Sequence, residues 1–294
     1  MHTNVKTALG IFLFFFFGYF ALSNLVAQHI GSIKTLDDPI PLLTYFKPEL
    51  LAFVFMPLLV ATGWRVWSGE SHWSSVWFHS GVPLGILASS ISLVGALQNI
   101  KSELLALNIG ESLLAVFYGG VVSFIGYLNL HANEFPIKRN NHSNLTKFFV
   151  LLLNTFLVGV GMDYYAGIKA FIDINTISVF FAFASACLLI NRDESKSVYY
   201  LVCETLVMAS LASVIIGLIG YATYQGDSRL IVPSLAIGII GPLYGSFMIF
   251  QCATFLPEAN LREINFSQIS WHLLEICGFF ILMCFAPKSL LEIF

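Results

Sequence analysis

Long apolar segments alternate with short polar ones along almost the whole chain of 294 residues. A helix needs roughly 20 apolar residues to cross the hydrocarbon core of a bilayer, and the segments reach or approach that length. The pattern therefore predicts an all-α, polytopic membrane protein with about nine transmembrane helices. Numbered α1 to α9 in chain order, the predicted helices are Ala8–Ile30, Leu50–Trp67, Phe78–Leu97, Ile109–Leu130, Phe148–Ala166, Ile174–Ile190, Val198–Tyr221, Leu230–Leu256 and Ile269–Ala286.

The composition supports the same class of protein. Of all residues, 57% are hydrophobic and only 11% are charged, and the mean hydropathy is +0.81. Soluble domains have about 25% charged residues. The net charge of −3 comes without a basic patch, so nothing indicates binding to nucleic acid. We therefore expect the lipid bilayer to be the main environment of the chain.

The residues that most often carry catalysis or bind metals show no useful spacing. The five cysteines all fall in apolar segments, and none form a Cys-x-x-Cys motif. The seven histidines are scattered without the spacing of metal ligands. The sequence therefore predicts no enzyme activity, no metal site and no cofactor.

The ends of the apolar segments predict the orientation of the chain. The first segment continues to about Ile30, and Leu25 stands where a cleavage site needs a small residue, so an uncleaved spanning helix is expected. The basic stretch PIKRNNHSNLTK between α4 and α5 is the strongest local signal for the positive-inside rule, and it places the N-terminus inside. An odd number of helices then places the C-terminus outside.

Two parts of the chain resemble each other at a nearly constant offset. Tyr118-Gly119 aligns with Tyr244-Gly245 at an offset of 126 residues, and Gly85 aligns with Ser210 at an offset of 125. One helix earlier, LLVATGWR aligns with SACLLINR. A shared register over three helix pairs predicts two parallel four-helix repeats. The predicted domains are residues 1–140 for the first repeat, 141–262 for the second, and 263–294 for an additional C-terminal helix.

Small residues recur inside α3, α4, α7 and α8, as in the stretch PSLAIGIIGPLYG of α8. In a bilayer no hydrophobic force drives helices together, and small residues permit the close approach that favours packing. A proline within a helix removes one backbone hydrogen bond. We therefore expect close helix contacts at Pro83, Gly85, Tyr118, Gly119, Gly241, Pro242, Tyr244 and Gly245.

Three stretches resemble the MotA/TolQ/ExbB proton-channel family. The stretch DSRLIVPSLAIGIIGPLYGSFMIFQCATFLPEAN is similar to the fourth helix of that family, and PLGILASSISLVGAL to the third helix of flagellar-stator A-subunits. The stretch FLVGVGMDYYAGIKAFIDINTISVFFAFASACLLI is similar to the first two helices. The chain thus resembles a tandem duplication of an A-type subunit that lacks the family's large cytoplasmic segment.

The resemblance implies a protein of the bacterial inner membrane that works as a homo- or hetero-oligomer. In the family, A-type subunits form a pentameric ring around single-span B-type partners, each with a proton-accepting Asp in the membrane. The third and fourth helices line the lumen, and here they are α3, α4, α7 and α8. The family's third-helix threonine falls on Ser89 and Val214, and its fourth-helix threonine on Val116 and Pro242.

Ionisable residues inside the predicted helices are candidates for an ion path. Glu204 lies near the start of α7, at the position equivalent to His79 of α3, and Glu275 lies in the first third of α9. A carboxylate in the bilayer usually faces a cavity or a partner, but near the interface it reaches water by itself, and both interpretations stay open. With the hydroxyls of the same helices, the candidates are Ser89, Ser90, Ser92, His79, Glu204, Ser210, Ser213 and Glu275.

Helix α9 gives a sharper hypothesis. It runs from inside to outside and carries its acid early, as the B-type helices of the family do. It would then replace the B-type partner, with Glu275 as the proton acceptor.

Three functions are compatible with these observations. The first is an ion-channel-family wall subunit that couples proton or sodium flux to work on a partner. The second is a non-conducting membrane scaffold in an envelope complex. The third is a small-molecule transporter with parallel repeats, which needs a polar site near the middle of the membrane.

Overall fold

The computed structural model describes residues 47–68, 73–98, 105–130, 144–190, 198–224, 228–256 and 266–285. The regular structure of these residues is entirely helical, which confirms the predicted all-α class. The predicted α1 lies outside them. The helices are α2 Pro48–Trp67, α3 Trp73–Gln98, α4 Leu105–Leu130, α5 Asn144–Ala166, a 3-10 turn Ile168–Phe171, α6 Ile174–Ile190, α7 Val198–Thr223, α8 Ser228–Phe255 and α9 Phe266–Phe285.

Seven of the described helical segments are long and apolar enough to cross a membrane. They belong to α2 through α8, and the segment of α6 includes the preceding 3-10 turn. The apolar part of α9 that is described, Gln268–Ile281, is shorter. The chain therefore has the helices of a multi-pass membrane protein, and the number of nine stays a prediction.

Four helices begin at least three residues earlier than the hydropathy pattern predicts. Helix α3 begins at Trp73 instead of Phe78, and α4, α5 and α9 also begin ahead of their apolar segments. In α3 the additional turn contains Ser74 and Ser75, which are buried in the protein. Hydropathy misses such a turn because its polar side chains are shielded by other helices and not by lipid.

The connection from α5 to α6 is defined by two residues. Gly167 has a φ of 76°, which glycine adopts without steric cost. The carboxylate of Asp173 accepts hydrogen bonds from the backbone N–H groups of Asn175 and Thr176, both at 3.2 Å. Asp173 therefore caps the first turn of α6 and satisfies donors that have no partner within the helix.

Helix α3 lies at the centre of the molecule. It is buried along its whole spanning length, and its most extensive contacts are with α4 and then α8. Helix α7 packs on α8 through small residues, as α4 packs on α3. The four helices thus form a row in the order α4, α3, α8, α7, which we call the wall.

The contact between α3 and α4 brings glycine against glycine. A Cβ atom on Gly119 would lie 2.7 Å from the Cα atom of Gly85. The hydroxyl of Ser123 adds polar contacts, because it accepts a hydrogen bond from the N–H of Val82 and donates one to the carbonyl of Phe78, both at 3.0 Å. Small residues on both helices permit this separation.

The contact between α7 and α8 uses equivalent positions. The side chain of Ser210 fills the space beside Gly245, and its hydroxyl oxygen lies 3.4 Å from the carbonyl oxygen of Gly241. In the sequence alignment Ser210 corresponds to Gly85, and Gly245 corresponds to Gly119. The two helix pairs therefore meet at the same aligned positions.

The sides of α8 contact different neighbours and define two faces of the wall. Gly245 contacts α7, whereas Ile239 and Leu243 belong to the core shared with α3. Pro242 borders a cavity with α9, and Tyr244, about 200° further round the helix, borders a groove with α5 and α6. We call the side with α9 the inner face and the side with α5 and α6 the outer face.

Candidate functional site

Helix α9 lies against the inner face of the wall. The ring of Phe280 occupies the space beside Gly238 of α8, so any larger side chain at that position would collide with it. Between α9 and the wall remains a cavity of only about 20 Å³, bordered by residues of α3, α4, α8 and α9. Helix α9 therefore packs closely on α8 and α3 around Phe280.

The predicted serines of α3 differ in their surroundings. Ser89 and Ser90 are buried and border the small cavity beneath α9. Val116 of α4 and Pro242 of α8 border the same cavity. Ser92 is also buried but is not among the residues that border it. The structure therefore gathers two of the three serines with residues of two other wall helices at the α9 contact.

A larger space of about 340 Å³ lies between α7 and α9. We call it the acidic groove, since it is bordered by Tyr200 and Glu204 of α7 and by Gln268, His272 and Glu275 of α9. The remaining border is apolar. The two predicted acids, one from each helix, thus face the same space.

The polar residues of α9 form a continuous row. The Nε2 atom of His272 lies 3.3 Å from Nε2 of Gln268, and its Nδ1 atom lies 3.3 Å from a carboxylate oxygen of Glu275. Side chains three and four residues apart lie on one helix face. The side chains of His272 and Glu275 are 51% and 72% exposed, respectively. The protein therefore leaves this polar row largely uncovered.

Glu275 lies near the middle of α9. It is the tenth of the 20 residues of α9, which leaves about 15 Å of helix on either side. Six residues of the predicted apolar segment, which begins at Ile269, precede it, and the helix itself begins at Phe266.

His79 and Glu204, which the alignment makes equivalent, have different surroundings. His79 is buried in the bundle, and its ring centre lies 4.8 Å from that of Phe78. Glu204 is partly buried and borders the acidic groove. His79 borders neither the small cavity nor the acidic groove. The structure therefore does not bring this pair to one common site.

Ser210 and Ser213 lie in the contact between α7 and α8. Their hydroxyls donate hydrogen bonds to carbonyls one turn earlier, that of Leu206 at 2.8 Å and that of Ala209 at 3.1 Å. Both side chains are buried against glycines of α8, and neither borders the cavity or the groove. Their visible role is to pack two wall helices.

The tyrosines of the two aligned Tyr-Gly pairs each form a hydrogen bond with the backbone just before another helix. The Tyr118 hydroxyl accepts a hydrogen bond from the N–H of Lys47 at 3.1 Å, just before α2. The Tyr244 hydroxyl donates to the carbonyl of Phe171, just before α6. Tyr244 also borders an apolar groove of about 1070 Å³ on the outer face. Pro83 is buried, and α3 continues through it.

Sequence reasoning missed three residues of interest. Tyr200 and Gln268 border the acidic groove. The spacing of QISWHLLE places Gln268 on the same helix face as the predicted acid, so this stripe was recognisable. Arg65 lies near the end of the predicted α2, and it is fully buried and donates a hydrogen bond to the carbonyl of Leu256. No signal in the sequence distinguishes such an arginine from an interfacial one.

A metal site requires several ligating side chains in one place. Within the residues that the structure describes, no group of three or more His, Cys, Asp or Glu side chains is placed to hold a metal ion. The described cysteines that carry free thiols are Cys187, Cys203, Cys252 and Cys277.

Comparison with protein-family models, with curated proteins and with solved structures finds no match. The assignment of a function therefore depends on the geometry of the inner face.

Proposed function

We propose that the chain is a wall subunit of the MotA/TolQ/ExbB type, built from two tandem repeats, with a cation path along its inner face. Three kinds of contact support the repeats. The small-residue contacts of α3 with α4 and of α7 with α8 use aligned positions. Helix α2 contacts α3 and α4 as α6 contacts α7 and α8. Tyr118 and Tyr244 each hydrogen-bond the backbone just before the second helix of their repeat.

Helix α9 takes the place of the B-type partner in this proposal. Ser89, Val116 and Pro242, which align with the family's lumen threonines, all border the cavity beneath α9. Cys277 and Phe280 of α9 border it from the other side. The observation that carries the proposal is that α9 lies on this face and presents Glu275 at mid-helix, with His272 at 3.3 Å.

The chemistry of the acidic groove suits a cation. A charged carboxylate at the middle of a spanning helix costs a few kcal/mol, so such residues usually face a cavity or a partner and often belong to ion paths. Glu275 and Glu204 offer carboxylate oxygens, and His272 offers the nitrogens of its imidazole ring. Both a proton and a sodium ion fit this set of groups. In the cell, the flux would drive work on a partner.

Flux measurements on the purified chain in lipid vesicles test this proposal. A pH-sensitive dye and a sodium-sensitive dye inside the vesicles report the two ions separately. We expect Glu275→Gln to lower the flux about 100-fold, since it removes the group that accepts and releases the ion. Glu49→Gln is the matched control, because Glu49 lies in the first turn of α2, away from the groove. Equal flux for the two variants would refute the role of Glu275.

We further propose that this protein resides in the bacterial inner membrane with its N-terminus inside and its C-terminus outside. The positive-inside signal between α4 and α5 supports this orientation. Reaction of single introduced cysteines with a membrane-impermeant thiol reagent, added to whole cells or to inverted vesicles, tests it.

A non-conducting scaffold is the second candidate function. It is favoured by the hydroxyls of Ser210 and Ser213, which bind backbone carbonyls, and by Phe280, which leaves only about 20 Å³ beneath α9. Absence of flux through the wild-type protein, with its native complex intact, would select this function over conduction.

A further inference from the structure

Helices α7 and α8 run antiparallel, and their contacts follow one register. A Cβ atom on Gly217 of α7 would lie 2.7 Å from the Cα atom of Gly238 of α8. Seven residues earlier on α7, the side chain of Ser210 fills the space beside Gly245, which lies seven residues later on α8. Each step of seven residues back along α7 thus matches an equal step forward along α8.

One more step in this register pairs two cysteines. Seven residues before Ser210 is Cys203, and seven residues after Gly245 is Cys252. The structure places the two thiols in hydrogen-bond contact with each other. The helices are still close near this level, because a Cβ atom on Gly245 would lie 3.3 Å from the carbonyl oxygen of Leu206. The register and the sulfur contact therefore agree that Cys203 and Cys252 are direct neighbours.

The two thiols differ in their access from outside the protein. Cys203 is fully buried in a core with Leu206 and Ile249, whereas Cys252 is only partly buried. Both lie near the same end of the helix pair, since Cys203 is the sixth residue of α7 and only three residues of α8 follow Cys252. A small reagent therefore meets the sulfur of Cys252 first, and the sulfur of Cys203 lies behind it.

From this arrangement we infer that Cys203 and Cys252 form a reversible disulfide between α7 and α8 when the protein meets a peroxide. A disulfide requires a close approach of the two backbones, with Cα atoms about 4.4–6.8 Å apart, and the small residues of this contact provide such an approach. The bond itself does not depend on the proposed function. In the proposed orientation this end of the pair faces the inside of the cell, where thiols are kept reduced and disulfides are usually transient.

The bond forms in two balanced steps with hydrogen peroxide as the oxidant. The thiolate of Cys252 attacks one peroxide oxygen and breaks the O–O bond, which gives a sulfenic acid and, with one proton, water. The thiolate of Cys203 then attacks the Cys252 sulfur, so that the S–S bond forms and the S–O bond breaks with release of a second water. Two thiols thus lose two electrons to one peroxide. A small thiol such as glutathione reverses the reaction by exchange.

Differential thiol labelling of the full-length protein in native membranes tests the modification. After treatment with or without hydrogen peroxide, the protein is denatured, free thiols are blocked with N-ethylmaleimide, and bonds are reduced. The newly freed thiols then react with a polymer-linked maleimide. We expect two polymer units on the oxidised chain and none on the untreated chain. Mass spectrometry should find the peptides of Cys203 and Cys252 joined, with loss of two hydrogen atoms.

Three results of this experiment overturn the inference. They are no bond after peroxide treatment, a bond that joins other cysteines or two separate chains, and a bond that is already present in untreated membranes. The last result would show a permanent structural disulfide instead of a reversible one.

Single substitutions supply the matched controls. Cys252→Ala should abolish the shift of two polymer units, and thermal unfolding of the reduced protein should stay unchanged because this side chain is only partly buried. Cys203→Ala should abolish the shift as well. Cys187→Ala on α6 and Cys277→Ala on α9 remove other free thiols and should keep it. A shift that survives Cys252→Ala contradicts the inference.

A cyclic dione that traps sulfenic acids tests the order of the two steps. In Cys203→Ala the sulfenic acid has no second thiol to react with, so the dione should label Cys252 after peroxide treatment. In Cys252→Ala the label should be lost, because the remaining sulfur of Cys203 is buried. Equal labelling of the two variants contradicts the assignment of Cys252 as the attacking thiol. None of these readouts uses ion flux, so a disulfide without flux removes only conduction, and flux without a disulfide removes only this inference.

Discussion

The ring of Phe280 in α9 lies in the space that a side chain at Gly238 of α8 would need. Both residues are buried. Overfilling this contact by Gly238→Ala should lower the free energy of unfolding by about 1–3 kcal/mol. Emptying it by Phe280→Ala should lower it by about 3–5 kcal/mol, because the wall helices cannot collapse fully onto the space left behind. Unfolding in detergent micelles, followed by circular dichroism, measures both effects.

The double variant shows whether the two residues act on each other. In Gly238→Ala/Phe280→Ala the added methyl group occupies space that the ring has left. The loss should therefore be smaller than the sum of the single losses by about 0.5–3 kcal/mol. Gly278→Ala is the control on α9, since a Cβ atom there meets nothing within 4 Å. Additive losses would mean that α9 is not held through this pair.

Two neighbouring glycines of α4 give an internally controlled test of the wall. A Cβ atom on Gly119 would lie 2.7 Å from the Gly85 Cα atom, whereas one on Gly120 would meet no atom within 4 Å. Gly119→Ala should destabilise the protein by about 1–3 kcal/mol, since backbone must move to accept it. Gly120→Ala should be neutral, or stabilise by up to about 1 kcal/mol through helix propensity. Gly119→Ala should lower the unfolding temperature, whereas Gly120→Ala should leave it unchanged or raise it. Equal shifts would contradict the close α3–α4 contact.

The positions of the helices and their close contacts were predictable because both depend directly on the residue composition of each helix. Apolar length identified eight of the described helices, and the recurrence of glycine and serine identified the helix pairs that pack closely. The Gly85–Gly119 and Ser210–Gly245 contacts fall on residues that the sequence aligns. Such contacts are readable from sequence because close approach in a bilayer requires small residues on both helices.

The inner face was less predictable because it depends on which helices become neighbours. Hydropathy does not predict that α9 packs on the wall, so the groove that Glu275 shares with Glu204 followed only from packing. Residue type also does not separate the role of Ser210 from that of Ser89. Ser210 fills the contact between α7 and α8, whereas Ser89 borders the cavity beneath α9.

The start of α6 depends on the carboxylate of Asp173. It accepts hydrogen bonds from the N–H groups of Asn175 and Thr176 and from the Thr176 hydroxyl. Asp173→Ala should cost about 1 kcal/mol, and Asp173→Asn should retain most of the cap. Hydrogen exchange at the first turn of α6 should become faster in the alanine variant. Asp163→Ala, at the end of α5, is the control, and a similar change there would mean that α6 does not depend on the cap.

The buried Arg65 joins the ends of two helices. It lies in the last turn of α2 and donates to the carbonyl of Leu256, directly after α8. Carbonyls at a helix end have no partner within the helix, and a positive charge there also opposes the negative end of the dipole. Arg65→Met keeps much of the side-chain volume but removes the donor, so the free energy of unfolding should fall by about 1–3 kcal/mol. Arg65→Lys keeps the charge with a shorter reach and should give an intermediate loss.

Hydrogen exchange separates this role from a general loss of packing. Without the arginine, the last turn of α8 should open more often than its middle, so exchange should rise first near Leu256. Lys169→Met removes an exposed positive charge from the 3-10 turn and should leave that turn unchanged. Uniform exchange along α8 in Arg65→Met would show that the positive charge of Arg65 does not hold the end of α8 in particular. A local rise would instead show that a buried cation holds the C-terminal ends of α2 and α8 together, through a contact that is separate from the packing of α3 on α8.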